Sequence, residues 1–195
     1  MFYKSLLLSL LVVGSISTSM AQLYPKKSLE IAAGIQSYYV PLKHFKVQNA
    51  QPVFMAGANH TLNTRQNLEL GIRLGYNRHK YQGDGLFIQA LIRYMPVIAR
   101  HFQPMIGSGI GYQLSFYPST SLKYDGTNWV QGPKSKGVIQ VPLHVGIGYR
   151  SIETKEAFIT PFLAYQVNAL FRYSPDLTPL PASNFLLGLR YAPRK

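Results

Sequence analysis

Between Asn67 and His79 the chain reads N-L-E-L-G-I-R-L-G-Y-N-R-H, and its residues sort by parity. Leu68, Leu70, Ile72, Leu74 and Tyr76 form one set; Glu69, Gly71, Arg73, Gly75 and Asn77 form the other. A period of two means a strand with two unlike faces. One face is apolar and ends in an aromatic ring. The other is charged, polar or glycine. The same alternation predicts strands over Glu30 to Tyr39, Pro52 to Leu62, Leu86 to Met95, Phe102 to Phe116, Val138 to Arg150, Ala157 to Ala169 and Asn184 to Tyr191. With the first stretch this makes about eight strands of the ~9–11 residues that a tilted membrane-crossing strand needs.

The connections alternate as well. Those at residues 40–51, 78–85, 117–137 and 170–183 are longer, and those at 63–66, 96–101 and 151–156 are shorter. Long external loops and short periplasmic turns are the expected asymmetry of an outer-membrane barrel. An even strand number puts both ends of the barrel in the periplasm, and no second domain is expected after Tyr191. Pro142 and Pro161 fall within predicted strands, where each removes a ladder hydrogen bond. Both are expected near strand ends.

Composition moves the reading further toward a membrane. Of 195 residues, 47% are hydrophobic and only 14% are charged, against about a quarter charged in an ordinary soluble domain. The absence of cysteine excludes thiol catalysis, cysteine metal sites, disulfides and a lipoprotein anchor. Lys4, the apolar run Leu6 to Val13 and the small-x-small Ser19-Met20-Ala21 have the form of a secretory signal peptide. Residues 1–21 are therefore expected to be a signal peptide and residues 22–195 the barrel domain. Beyond Ala21 no apolar run approaches the ~18 residues of a spanning helix.

The net charge is +13, one unit lower once Lys4 leaves with the signal. A basic excess often points to nucleic acid. An exported chain rarely meets it, and there is no basic helix or RNA-binding motif here. Anionic lipid headgroups are the expected counter-charge.

The signal peptide, the alternating segments LELGIRLGY and VPLHVGIGY and the terminal FLLGLRY together resemble the small Gram-negative outer-membrane β-barrel family, the OmpA/OmpX-type barrel. The resemblance covers Leu29 to Tyr191. It implies an all-β fold, an eight-stranded antiparallel up-and-down transmembrane β-barrel, and is nearly silent on biochemical role. In such proteins the last strand often ends in an aromatic assembly signal; here Tyr191 precedes Ala192-Pro193-Arg194-Lys195.

An arginine at the bilayer midplane would cost about 2–4 kcal/mol, so Arg73 is expected to point into the lumen. Tracing strands from a periplasmic start puts Glu30, Glu69, Arg93, Arg150 and Arg190 inward and near the periplasmic end. Setting Arg73 across from Gln89 also sets Glu69 across from Arg93. The expectation is a lumenal charge network of Glu30, Glu69, Arg73, Arg93, Arg150 and Arg190. Its role would be structural, since an eight-stranded interior is just wide enough to be filled by side chains. Because arginine outnumbers glutamate, a narrow anion-preferring channel for small solutes is the alternative. A wide porin is not expected at this strand number. Tyr39, Tyr76, Tyr112 and Phe116 lie toward external strand ends, and Tyr94, Tyr149 and Tyr191 toward periplasmic ends. Two aromatic girdles account for them.

Some outer-membrane barrels modify lipid A with a serine, histidine and acid set. His144 is the best candidate base, and Ser115 also faces inward, but no acid accompanies Ser115. Nucleophilic catalysis needs nucleophile and base within hydrogen-bond reach of each other, and no such set assembles. The five histidines lack metal-ligand spacing, and Gly107-x-Gly109-x-Gly111 is glycine on one strand face, not a nucleotide turn. No catalytic, metal-binding or cofactor-binding residue is therefore expected, and no enzymatic activity. The external loops carry Lys43, His44, Lys46, Arg78, Lys80, Lys123, Lys134 and Lys136 against few acids. They suit lipopolysaccharide phosphates or an acidic host surface, and Trp129 with Tyr124 could anchor a partner. The leading expectation is a monomer with a structural or surface-interaction role. The channel, a lipid A-modifying enzyme, and a soluble lipocalin-like carrier with inverted faces stand as alternatives.

Overall fold

The computed structural model describes residues 26–38, 50–80, 83–99, 101–119, 122–150, 152–153, 157–173 and 178–193. The expected signal peptide, Tyr39, and Lys43, His44 and Lys46 lie outside these residues.

The strands are β1 (Lys27–Ser37), β2 (Gln51–Thr61), β3 (Leu68–Asn77), β4 (Gly85–Tyr94), β5 (Phe102–Phe116), β6 (Leu122–Tyr124), β7 (Trp129–Gln131), β8 (Ser135–Tyr149), β9 (Ile152–Glu153), β10 (Ala157–Phe171) and β11 (Leu180–Pro193). Eight of them, β1 to β5 with β8, β10 and β11, form one antiparallel sheet, and β11 pairs back onto β1 to close it. β6 and β7 make a separate hairpin within the third long loop, and β9 pairs with the start of β10.

Closure requires stagger. Gln36 leads through its neighbours Asn184, Gln166, His144, Gly107, Arg93, Glu69 and Thr61 around the barrel. The path returns to β1 at Lys26, whose carbonyl accepts from the Thr61 amide at 2.8 Å. The return point lies ten residues from Gln36 along the chain. Such stagger tilts the strands against the barrel axis. Side chains at one height in the lumen therefore come from different rungs of the ladder.

The burial is inverted relative to a soluble protein. Leu187, Ile110 and Ile31 are 60–66% exposed, while Glu30, Glu69, Arg73, Arg93 and Arg190 are 4% exposed or less. β3 shows this residue by residue: Glu69, Gly71, Arg73, Gly75 and Asn77 are buried, and Leu70 to Tyr76 on the other parity are exposed. A lipocalin-like carrier would need the apolar parity inside, so that alternative falls.

Two sequence expectations need correction. Pro142 sits at the centre of β8, not near its end. The β5–β8 pairing lapses between Ser108↔Leu143 and Gly111↔Gln140, where the missing N–H interrupts the ladder. Pairing with β10 continues through Asn168↔Pro142, and the Ser108 hydroxyl donates to the Pro142 carbonyl at 3.0 Å. Pro161 lies where β10 changes partner, just before its pairing with β8 begins at Phe162↔Gly148. Four strands also outrun the apolar alternation by two residues or more: β1 begins at Lys27, β8 begins at Ser135, β10 ends at Phe171 and β11 runs from Leu180 to Pro193. Here the ladder satisfies backbone groups beyond the apolar band.

Candidate functional site

The lumen is built in layers. Near the short-turn end, the carboxylate of Glu30 receives three guanidinium groups. Arg73 Nε donates to Oε1, Arg93 Nη2 reaches Oε2 at 2.9 Å, and Arg190 Nη2 lies 3.5 Å from Oε2. Glu69 stands directly across the ladder from Arg93 and pairs with it, and its Oε1 lies 3.7 Å from Arg190. Asn59 joins the two charges: its Nδ2 donates to Glu30 at 3.1 Å and its Oδ1 accepts from Arg93 at 2.6 Å. Three guanidiniums against two carboxylates leave this cluster with a net charge of +1. Arg190 is further braced by the sulfurs of Met95 and Met105 and lies over the Phe162 ring.

Glycine makes the room. Gly57 is the ladder partner of both Glu30 and Arg73, and Gly107 that of Arg93. A Cβ at Gly107 would lie 2.6 Å from Arg93 Cγ, and one at Gly57 would lie 2.9 Å from Arg73 Cγ.

Arg150 is not in the cluster, contrary to expectation. It follows β8, where its amide donates to the His101 carbonyl at 2.8 Å, and its guanidinium lies 5.6 Å from the Phe158 ring centre. Its parity is inward, but the strand has carried it past the carboxylates to the turn-end rim.

Above the charges lies an amide layer. Gln166 accepts from Arg73 Nη1 at 3.2 Å and donates to Gln89 and Asn168 at 3.1 and 2.8 Å. His144 sits at the boundary, its Nδ1 accepting from Arg73 Nη1 at 3.4 Å. Ser115 and His144 are far apart. Ser115 pairs with Lys136, eight residues up β8 from His144, which is roughly 26 Å at about 3.3 Å per residue. Nucleophile and base do not meet. Among the described residues, no group of three or more His, Cys, Asp or Glu is placed to hold a metal ion.

Toward the long loops the filling is neutral, with the buried polar side chains of Asn77, Gln113 and Ser115 beside an apolar cluster. Val138, Leu170 and Ala182 form a buried cluster against Tyr38, Tyr173 and Leu180. Tyr38 stacks edge-on to His79, ring centres 5.0 Å apart, and Lys136 Nζ donates to the Tyr173 carbonyl at 3.1 Å. Burial pushes the Tyr38 and Tyr173 hydroxyls to titrate above the ordinary tyrosine range. A second apolar cluster, with Met55, Phe87, Phe162 and Leu186, lines the wall beside the polar layers. Sequence alternation missed both clusters, because apolar residues on the inward parity carry no mark of their own.

Of the aromatic residues expected at the two ends, Tyr76, Tyr94, Tyr112, Phe116, Tyr149 and Tyr191 all face outward and are exposed. Three more join them. Phe54 pairs with Tyr76, Phe102 pairs with Tyr149, and Phe171 stands at the loop end of β10. At the long-loop rim a cavity of about 530 Å³ is lined by residues that include Arg78, Lys80, Asp84 and Phe116. In the β6–β7 hairpin Tyr124 and Trp129 are ladder partners with ring centres 5.4 Å apart, both exposed. The Asp125 carboxylate caps its turn, accepting from the amides of Thr127 and Asn128 at 2.8 Å.

No family model and no curated protein matches the chain. Its architecture is nonetheless that of the small eight-stranded outer-membrane β-barrels. Among solved structures it is similar to Neisserial surface protein A, with a TM-score of 0.56 and 12% identity over 84% of this chain and 94% of that one. It is similar also to the N-terminal β-barrel domain of Pseudomonas aeruginosa OprF, with a TM-score of 0.53 and 14% identity over 85% of this chain and 96% of that one. At these identities the likeness is one of fold.

Proposed function

We propose that the chain is exported behind a signal peptide and resides in the outer membrane as a monomeric, closed β-barrel without catalytic activity. Its role is structural or interactive and is carried by the external rim. The observation that carries this reading is the inverted burial: an apolar belt outside and ion pairs inside. Lipid is the solvent that favours such a surface. The outward aromatic residues at both strand ends act as girdles at the two interfaces. Lumenal ion pairs, amides and the Val138–Leu170–Ala182 cluster fill the bore, which supports a closed barrel over an anion channel. The separation of Ser115 from His144 supports a non-enzyme. Arg78 and Lys80, exposed just beyond the outward Tyr76, lie at headgroup height and suit the phosphates of lipopolysaccharide.

The test is detergent dependence with heat-modifiable gel migration, followed by conductance in a planar bilayer. A detergent-requiring protein that shifts on boiling and passes no steady current is the expected result. Solubility without detergent would sink the membrane reading, and steady anion-selective current would replace the closed barrel with the channel.

A further inference from the structure

The outer wall is not uniform. Outward positions of most barrel strands carry Leu, Ile, Val or aromatic residues. β2 alone among the described barrel strands has two consecutive outward alanines, Ala56 and Ala58. Ala58 is flanked across the ladder by Leu29 on β1 and Ile72 on β3, and Ala56 by Ile31 and Leu74. Large side chains on both sides of small ones make a trough running along β2. At its turn end the wall closes with Lys27 and His60, which are direct ladder partners and both exposed. The open groove there measures about 410 Å³ and is bounded by Lys27, Leu29, Ala58, His60 and Ile72 among others.

The charge around this end is one-sided. Lys26 and Arg65 are also exposed there. The nearest acids on these strands, Glu30 and Glu69, are turned into the lumen and paired with guanidiniums. An apolar trough that ends on cations calls for a ligand with an apolar tail and an anionic head. Height decides which leaflet supplies it. Lys27 and His60 lie at the short-turn end, two rungs beyond the outward Leu29 that pairs with Tyr191.

We propose that the β1–β3 wall holds one anionic glycerophospholipid of the periplasmic leaflet. An acyl chain lies along Ala56 and Ala58, and the headgroup phosphate meets the Lys27 ammonium and a His60 N–H. The inference rests on the membrane reading above, which supplies the lipid.

The test uses the protein purified from membranes in neutral detergent, with native mass spectrometry after adding phosphatidylglycerol or phosphatidylcholine. One retained phosphatidylglycerol is expected, in preference to phosphatidylcholine. Lys27→Gln should weaken that preference roughly fivefold, the effect of one basic residue near an anionic surface. Ala58→Phe, which fills the trough on a lipid-facing position, should reduce retention of both lipids and leave heat-modifiable migration intact. Equal retention of the two lipids by the natural protein, or retention unchanged by both substitutions, would overturn the proposal. So would a dimer mass lost on Ala58→Phe, which would give the trough to a second copy. A protein that needs no detergent would instead overturn the membrane reading itself.

Discussion

The two ends of the lumen fill the same bore in opposite ways. At the short-turn end, three arginines and two glutamates interlock through direct ion pairs. At the long-loop end, Val138, Leu170 and Ala182 pack under Tyr38 and Tyr173. A charged cluster cut off from water depends on every partner, because a lone buried charge has nowhere to go. The long-loop layer carries apolar side chains and neutral polar ones such as Asn77 and Gln113, so it depends mainly on volume. The first filling is fragile to loss of charge, the second to loss of size.

The sharpest way to test the contrast is Glu30→Gln. It removes the carboxylate shared by Arg73, Arg93 and Arg190 and leaves Glu69 as the cluster's one anion. The expected cost is about 3–5 kcal/mol, the scale for breaking a buried ion pair, read as a fall in the urea midpoint for loss of the heat-modifiable band. Glu69→Gln should cost less, since Glu69 meets two guanidiniums and Glu30 meets three. Equal effects would mean that the layer does not hinge on Glu30.

Leu170→Ala tests the other end. Its side chain is fully buried, and truncation should cost about 2–3 kcal/mol, near the low end for leucine because neighbouring tyrosines can settle into the space. Conductance is the more telling readout. If the charged and amide layers alone seal the bore, the variant stays silent in a planar bilayer. Steady current from this variant would show that the apolar plug is the seal.

Gly107→Ala probes the fit between wall and charge. The added Cβ meets Arg93 Cγ at 2.6 Å and the Ile92 carbonyl at 2.5 Å. An overpacked site of this kind costs about 1–2 kcal/mol, measured in the same urea series. A neutral result would show that Arg93 has slack and that glycine at its ladder partner is incidental.

Much of the wall was legible in the chain. Parity alone separates Leu70, Ile72 and Leu74 from Glu69 and Arg73, and hairpin register follows once one rung is set. Height was harder. The stagger of the closed sheet brings Arg73, Arg93 and Arg190 to one carboxylate from three strands, and no single hairpin contains that information. Arg150 shows the limit: correct parity does not ensure correct depth. Leu170 falls in a predicted loop because the polar residues that follow it hide the continued ladder to Leu180. Phe102 and Phe171 are missing from the aromatic residues expected at the rims because each sits at a strand end, where alternation runs out.

The smallest expected effect concerns the rim. His79 lies beyond β3, outside the membrane-spanning segments, and packs edge-on against Tyr38. Desolvation lowers its imidazole below the ordinary histidine value, so the neutral ring is the form that packs. The sign follows from linkage. Below about pH 6.5 an unfolded or opened rim takes up a proton that the packed rim does not. The stability His79 lends to the Tyr38 contact is therefore complete above that pH and is lost as pH falls through the lowered folded value. Proton NMR of the His79 ring should give a midpoint below the ordinary one, and amide exchange at Tyr38 should quicken on going from pH 8 to 5, after correction for intrinsic exchange rates. His79→Phe should remove that acceleration while keeping the ring contact. A midpoint at or above the ordinary value would mean that water reaches the imidazole and that the apolar plug ends below Tyr38.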